Sequence, residues 1–465
     1  MIFKIAFRSM FRNGRRSLMT LSTIAVGATA NLVFGAYMVY VFLGYESITV
    51  RVNGHLTVFH NGYFNFGSGN PSAYGIENYQ ELVKLILDDA VLKPRIAVAT
   101  LTQSVAGIAG NFDRDASKTF FGVGYIPSDR DRMAHWDEYG LGVDAKRLSA
   151  LRDSDPAHGV VGVGLARVLG LCEALQVKNC PELPQADSKA PSSGPRAVED
   201  FSELSRRDRA SAVAEGGGDP RIDLLAATAG GAPNVVSLYV TKAEVQGVKE
   251  FDDNYVGMHL ALAQQLLYGR GTRKVTGVVL QLQRTEDMAA VRQRLLALFS
   301  EHHLDLEVRD FSELTPAYKQ VIGLFGSIFS FISVIIGVVV LFTVTNTMGM
   351  SVMERTSEIG TTRALGLRRQ GIRRQFLLEG WMLGAIGATA GVLLAALITY
   401  AVNHAGLTWL PPGNVEPVPL RLYMLGGWKL VTVMWLSLVV VATIAALIPA
   451  NRAAKLPVVD ALRHE

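Results

Sequence analysis

Four long apolar runs, at 17–44, 319–353, 377–403 and 429–451, interrupt an otherwise mixed chain. Each is long enough and poor enough in charge to cross a bilayer as a helix. Between the first and second runs the pattern changes. Ile48-Thr49-Val50-Arg51-Val52 and Leu56-Thr57-Val58-Phe59 alternate, which predicts strands, while Leu82, Leu85 and Ile86 fall at helical spacing within a helix expected over Ile76–Leu92. Further strands are predicted over Arg95–Ile108, Thr119–Ile126, Val235–Thr241 and Val275–Leu282, with helices over Gly257–Tyr268 and Thr285–His302. The fold class that follows is a membrane protein with four transmembrane α-helices and a large α+β domain, residues 45–318, inserted between helices 1 and 2.

Two stretches depart from these patterns. Residues 1–16 mix Ile2, Phe3, Ile5, Phe7, Met10 and Phe11 with Lys4, Arg8 and Arg12, an amphipathic segment suited to an elbow helix in the membrane interface. From about 172 to 220 the chain is rich in Pro, Ser, Gly and alternating charge, including SKAPSSGPR and EGGGDPR. Such a composition buries little apolar surface and reads as a flexible insertion.

Charge separates the parts. From Glu46 to Tyr318 there are 28 Lys/Arg against 35 Asp/Glu, a net of −7, whereas the remaining residues carry 17 against 6, a net of +11. The basic residues crowd at Lys4 to Arg16, at Arg355 to Arg374, and at Arg452, Lys455 and Arg463. The positive-inside rule places these three regions in the cytoplasm. Both termini are then cytoplasmic, as are a loop at 354–376 and a tail at 452–465, while the acidic domain and a second loop at 404–428 are periplasmic. The total charge of +4 reflects this topology and gives no reason to expect nucleic acid as a partner. A cleavable signal peptide shares the basic start, and Ala28-Thr29-Ala30 offers small residues, but the apolar run continues to Leu43, which favours a retained helix.

Cys172 and Cys180 lie on the side assigned to the oxidising compartment, at the start of the insertion. The short loop between them favours a disulfide that pins the root of that segment; the alternative is two unrelated thiols.

The stretch ERTSEIGTTRALG, Glu354 to Gly366, sits between two apolar runs and leads into LRRQGIRRQF. Its charges are mixed, with Ile359 and Leu365 as apolar knobs and Gly360 and Gly366 allowing close approach, a pattern suited to docking on another protein. The plainer reading is an orienting basic loop. With Ile5-Ala6-Phe7-Arg8-Ser9-Met10, the basic turn Arg12-Asn13-Gly14-Arg15-Arg16 and the closing IPANRAAKLPVVDALR, this stretch resembles the ABC-transporter permeases of the MacB, FtsX and lipoprotein-releasing LolC/LolE group. The resemblance implies an inner-membrane permease in which Glu354, Arg355, Glu358, Ile359, Gly360, Arg363, Leu365 and Gly366 meet an ABC ATPase subunit. It also implies a second copy or a paralogous permease, contact with membrane lipids, and a periplasmic chaperone or adaptor as a further partner. The segment Val160 to Leu171 is similar to a helix of that group's extracytoplasmic domain, where a shorter loop follows it.

No cofactor is expected on the chain itself. No G-x-x-x-x-G-K-[ST] occurs to cradle nucleotide phosphates, so ATP and Mg are assigned to the partner ATPase. The histidines show no H-E-x-x-H or Cys-His spacing, which argues against a metal site, and no catalytic constellation stands out. Within the second apolar run, Gly323, Gly326, Ser327 and Ser330 offer a close helix interface, and Thr343 and Asn346, with Thr345 and Thr347, offer either interhelical hydrogen bonds or a substrate path. Gly384, Gly387 and Gly391 suggest tight packing of the third run. Three readings of function stay open: extraction or export of a lipophilic substrate such as a lipoprotein, tripartite efflux of a small molecule or peptide, and activation of a cell-wall hydrolase across the membrane. The Pro-rich stretches Leu410 to Gly413 and Val418 to Leu422 resemble those of lipoprotein-releasing permeases.

Overall fold

The computed structural model describes residues 14–67, 73–142, 150–178, 180, 218–246, 249–409, 418–424 and 427–457. The expected elbow helix, most of the 172–220 insertion and Leu410 to Gly413 lie outside these residues. The chain divides into two compact units, one running from Tyr45 to Pro316, the other combining the stretch up to Gly44 with Ala317–Trp409 and the residues from Pro417 onward.

The larger unit takes in the end of α1 (Gly14–Asn53), then β1 (Leu56–His60), α2 (Tyr79–Asp88), β2 (Ile96–Asn111), β3 (Ala116–Tyr125), α3 (Pro127–Ala134), β4 (His158–Gly162) and α4 (Val163–Val168). It continues through β5 (Arg221–Ala227), β6 (Pro233–Glu244), β7 (Tyr255–His259), α5 (Leu260–Tyr268), β8 (Gly277–Leu282), α6 (Met288–Glu301) and β9 (Leu306–Asp310). The long strand β2 serves two assemblies. Its first half, Ile96–Thr102, pairs with β8, while Thr102–Asn111 pairs with β3 and Ile108–Gly110 also with β5. The order β2-β3-β7-β4-β6-β5 returns to β2, closing a barrel. Closure leaves no free edge among these strands, and Val105, Phe120, Leu165, Leu224, Leu238 and Met258 are buried in one cluster with Leu262 and Leu266 of α5.

From the other half of β2 the sheet runs on through β8, β1 and β9. Register places Val308, Val58 and Val278 in one cross-strand row. That row packs with Leu82 and Ile86 of α2 and Leu295 and Leu298 of α6 into a second core. The expected α+β composition is therefore present, but its largest feature is a closed barrel.

Several expected elements change identity. Ile48–Val52 is not a strand but the end of α1. Five residues cannot separate a period of 2 from one of 3.6, and here tertiary contacts decide. Arg51 donates to the Trp136 carbonyl at 2.6 Å, to Asp137 at 3.2 Å and to the Gly142 carbonyl at 3.0 Å, while Gln281 donates to the Val50 carbonyl. The helix expected from Gly257 begins only at Leu260, because Tyr255–His259 is recruited as β7 between β3 and β4. His259 ends the strand and caps α5, its Nδ1 accepting the Ala261 N–H at 3.1 Å. Likewise Val160 to Gly162 belongs to β4, and the helix that follows is only Val163–Val168. Cys172 and Cys180 are joined by a disulfide across a Cα–Cα distance of 6.2 Å.

The smaller unit holds most of α1, then α7 (Pro316–Glu354), α8 (Thr356–Ala364), α9 (Arg369–His404), a short ladder of β10 (Thr408–Trp409) and β11 (Val418–Pro419), α10 (Trp428–Ala445) and α11 (Leu447–Lys455). Among the described residues, four helical stretches are long and apolar enough to cross a membrane: Gly14–Asn53, Pro316–Glu354, Arg369–His404 and Trp428–Lys455, the last running through α10 and α11. Helix α9 packs on two neighbours through glycines. A Cβ at Gly380 would lie 2.4 Å from that of Ala446, and one at Gly384 2.8 Å from that of Ala442; at Gly387 and Gly391 the neighbours are Ile24 and Ala28 of α1, at 2.8 and 2.4 Å. Only the missing side chains permit these approaches. In contrast α7 exposes Leu324, Phe331, Val334 and Phe342.

Candidate functional site

Helix α8 fills the connection between the second and third candidate spans, and its sequence accounts for both of its ends. Glu354 closes α7 and Thr356 opens α8, with Arg355 between them at φ −108° and ψ 18°, outside the helical region. The far end is a Schellman arrangement. Gly366, at φ +96°, donates to the Arg363 carbonyl at 3.0 Å, and Leu367 donates to the Thr362 carbonyl at 3.1 Å.

The inner face of α8 is taken up by its own chain. Ile359 and Gly360 are buried. Ile359 shares a cluster with Ile372 and Phe376 of α9 and Ala450 and Ala453 of α11. This changes the expected role of Ile359, because a side chain 5% exposed cannot be an apolar knob for another protein. Its spacing was compatible with either face, and packing against α9 chose the inner one. Arg355 changes in the same way: it is 6% exposed and donates from Nη1 to the Glu379 carboxylate at 3.2 Å, with Glu379 itself 5% exposed. Arg363 is half-buried and donates to the Leu456 carbonyl just beyond α11. Glu354 pairs with Arg16 at the start of α1.

The outer face is different in character. Ser357, Glu358, Thr361 and Thr362 are exposed, and Leu365 is 83% exposed at the end of the helix. Met353, at the end of α7, is 76% exposed. The structure thus splits the sequence-derived set in two. Arg355, Ile359, Gly360 and Arg363 fix α8 to the bundle; Glu358 and Leu365, with Thr361 and Thr362, form the surface it presents. Sequence reasoning missed Glu379 and the Leu456 carbonyl as anchors. Glu379 did carry a signal, since an acidic residue in an otherwise apolar span is rare and normally paired.

The remaining candidates do not join this site. Gly323 and Gly326 face open space within the chain. Ser327 and Ser330 donate to the carbonyls four residues back, at 2.8 and 2.9 Å, as does Thr343 at 2.8 Å. Asn346 is exposed. Two neighbours do bridge helices: Thr20 donates to Thr347 at 2.8 Å, and Thr345 donates to the Ala445 carbonyl at 3.1 Å. Higher in the bundle Ser333 donates to the buried Asn31 at 2.9 Å.

The smaller unit thus combines apolar helices long enough to cross a membrane with a short helix that has one buried and one polar, exposed face. Residues 329–458 match the FtsX-like permease C-terminal family model. The uncharacterized ABC transporter permease YknZ of Bacillus subtilis (strain 168) is 28% identical over 202 residues, 42% of this chain and 46% of that protein. The macrolide export ATP-binding/permease protein MacB of Shewanella sp. (strain W3-18-1) is 29% identical over 233 residues, 47% of this chain and 33% of that protein. MacB of Escherichia coli (strain K12) is 27% identical over 238 residues, 48% and 34% respectively. The chain thus covers less than half the length of these curated relatives. Its four long apolar helices mark an integral membrane protein; residues 329–458 carry an FtsX-like permease C-terminal domain, and the chain is similar to ABC-transporter permeases, MacB among them.

Proposed function

We propose that this chain is the permease subunit of an ABC transporter and that α8 is the surface on which a separate ATPase subunit acts. The observation that carries the reading is the division of α8 into a buried anchoring face and an exposed presenting face. Glu358 would orient the partner and Leu365 would enter an apolar depression on it, few contacts carrying most of the binding energy. ATP and Mg belong to the ATPase; movement of α8 drives the spans and, through them, the domain between the first and second, which lies in the periplasm when both termini are cytoplasmic. The small-residue face of α7 at Gly323, Gly326, Ser327 and Ser330 is assigned to a second copy or a paralogous permease.

The cargo is assigned by class. The outward apolar face of α7 is in keeping with a lipophilic substrate, a lipoprotein or an amphipathic molecule, taken from the periplasmic side of the inner membrane. The likeness to proteins named for macrolide export supports efflux as the second reading. Regulation of a cell-wall hydrolase, the FtsX-like reading, is supported only by the match at residues 329–458.

The test is ATPase co-purification at matched membrane levels. Glu358→Lys places a like charge against a surface arranged for an acid, which costs several kcal/mol at an interface, and association is expected to fall steeply. Arg369→Gln and Arg373→Gln, exposed on the first turns of α9, are expected to change it little. Equal losses for all three, or none for Glu358→Lys, return the segment to an orienting loop.

A further inference from the structure

Glu379 stands on α9 ten residues beyond its first residue, Arg369, roughly 15 Å along the axis. It faces inward on the same stripe as Ile372, Phe376 and Leu383, all buried. A carboxylate at such a place is costly unless paired, and breaking the pair leaves an uncompensated charge in apolar surroundings. Its partner comes from the joint between α7 and α8: Arg355 is neither in the second span nor in α8 proper, and its carbonyl accepts the Ile359 N–H at 2.9 Å. The ion pair therefore ties the joint of one helix pair to the body of a third helix.

We propose that Arg355 and Glu379 form the positioning contact that holds α8 in register with the third span, so that displacement of α8 is delivered to α9 instead of being absorbed at the joint. This rests on the reading of α8 as the ATPase-docking surface. The chemistry suits the task. Apolar packing of Ile359 against Ile372 and Phe376 is strong but non-directional, and α8 could slide on it. A charge-assisted hydrogen bond fixes distance and angle together. Buried ion pairs in place of apolar contacts contribute little net stability, which leaves geometry as what this one supplies.

Two variants separate positioning from mere stability. Glu379→Gln removes the negative charge that faces Arg355 Nη1. The double variant Arg355→Met with Glu379→Leu removes both charges and refills the space with apolar groups, so its thermal midpoint is expected to stay near that of the unaltered protein. Spin labels at the exposed Thr361 on α8 and Ala390 on α9 read the register in the permease alone, in lipid nanodiscs. The unaltered protein is expected to give one narrow distance, and both variants a broad distribution. A narrow distribution in the double variant would reduce the pair to a structural contact, and an unchanged one in both would overturn the proposal outright. With the ATPase bound, both variants are expected to retain the subunit while permease-dependent stimulation of ATP hydrolysis falls about tenfold, a typical coupling between sites. Full stimulation in the double variant would contradict the proposal. If the unaltered permease retains no ATPase, it is the reading of α8 that fails, and the label distances alone decide the role of the pair.

Discussion

Gly366 and Gly391 are both required, for different reasons. At Gly366 the backbone itself demands glycine, since φ +96° closes α8 and turns Leu365 outward. At Gly391 the demand is spatial: a Cβ would meet Ala28 at 2.4 Å and the Ala25 carbonyl at 2.8 Å. Gly391→Val is therefore expected to lower the thermal midpoint in detergent, at a cost of about 1–3 kcal/mol from overpacking. Gly337→Ala, where a Cβ meets nothing within 4 Å, should be neutral or slightly stabilising through helix propensity. A pH effect is expected at His55, which is fully buried in the larger unit. Its Nδ1 accepts the Leu282 N–H at 2.9 Å and its ring stands edge-on to Trp136. Burial lowers its pKa from 6.5 to about 4, so in acid the unfolded chain takes up a proton that the fold refuses. Stability is fully present above pH 6.5 and is lost as pH falls toward 4, by on the order of 3 kcal/mol. Unfolding of the unaltered protein and of His55→Gln across that window should give a shallower dependence in the variant; equal slopes would remove His55 as the source.

Among the elements, what could be read in advance depended on whether a signal was local. The long apolar runs specify helices by themselves, and each expected span is found within a longer helix, Gly14–Asn53, Pro316–Glu354, Arg369–His404 or Trp428–Lys455. The strands β2, β3, β6 and β8 were legible from alternation and β-branched residues. β4 and β7 were not, because Val160–Val161 and Val256–Gly257–Met258 are short and run directly into helices, and only pairing with β6 and β3 makes them strands. The closed barrel depends on those pairings and on β5, so it could not be seen from any one segment. α8 shows the same limit at finer grain: ERTSEIGTTRALG marks a short helix with mixed charges, but which residues it buries is decided by α9 and α11. Glu358→Lys against Arg369→Gln and Arg373→Gln, compared by ATPase co-purification, tests that division directly, since the presenting face should be sensitive and the first turns of α9 tolerant.

The whole molecule comprises, among its described residues, four helical stretches long and apolar enough to span a membrane, a barrel-bearing domain, and the short helix α8 proposed to meet a partner. Its orientation is open to test by reporters after Glu465 and near Gly217, which are expected on opposite sides of the membrane, the first inside, if the basic clusters orient the chain by the positive-inside rule; the same side for both would abolish the assignment. The central claim, that α8 presents Leu365 to an ATPase, is reached most directly by a photo-crosslinking amino acid at position 365, with position 369 as the control. Irradiation of native membranes is expected to join position 365 to a nucleotide-binding subunit, in a yield that changes when ATP is added, and to leave position 369 joined mainly to lipid. Crosslinks from position 365 to lipid alone, or equal capture of the ATPase at both positions, would contradict it.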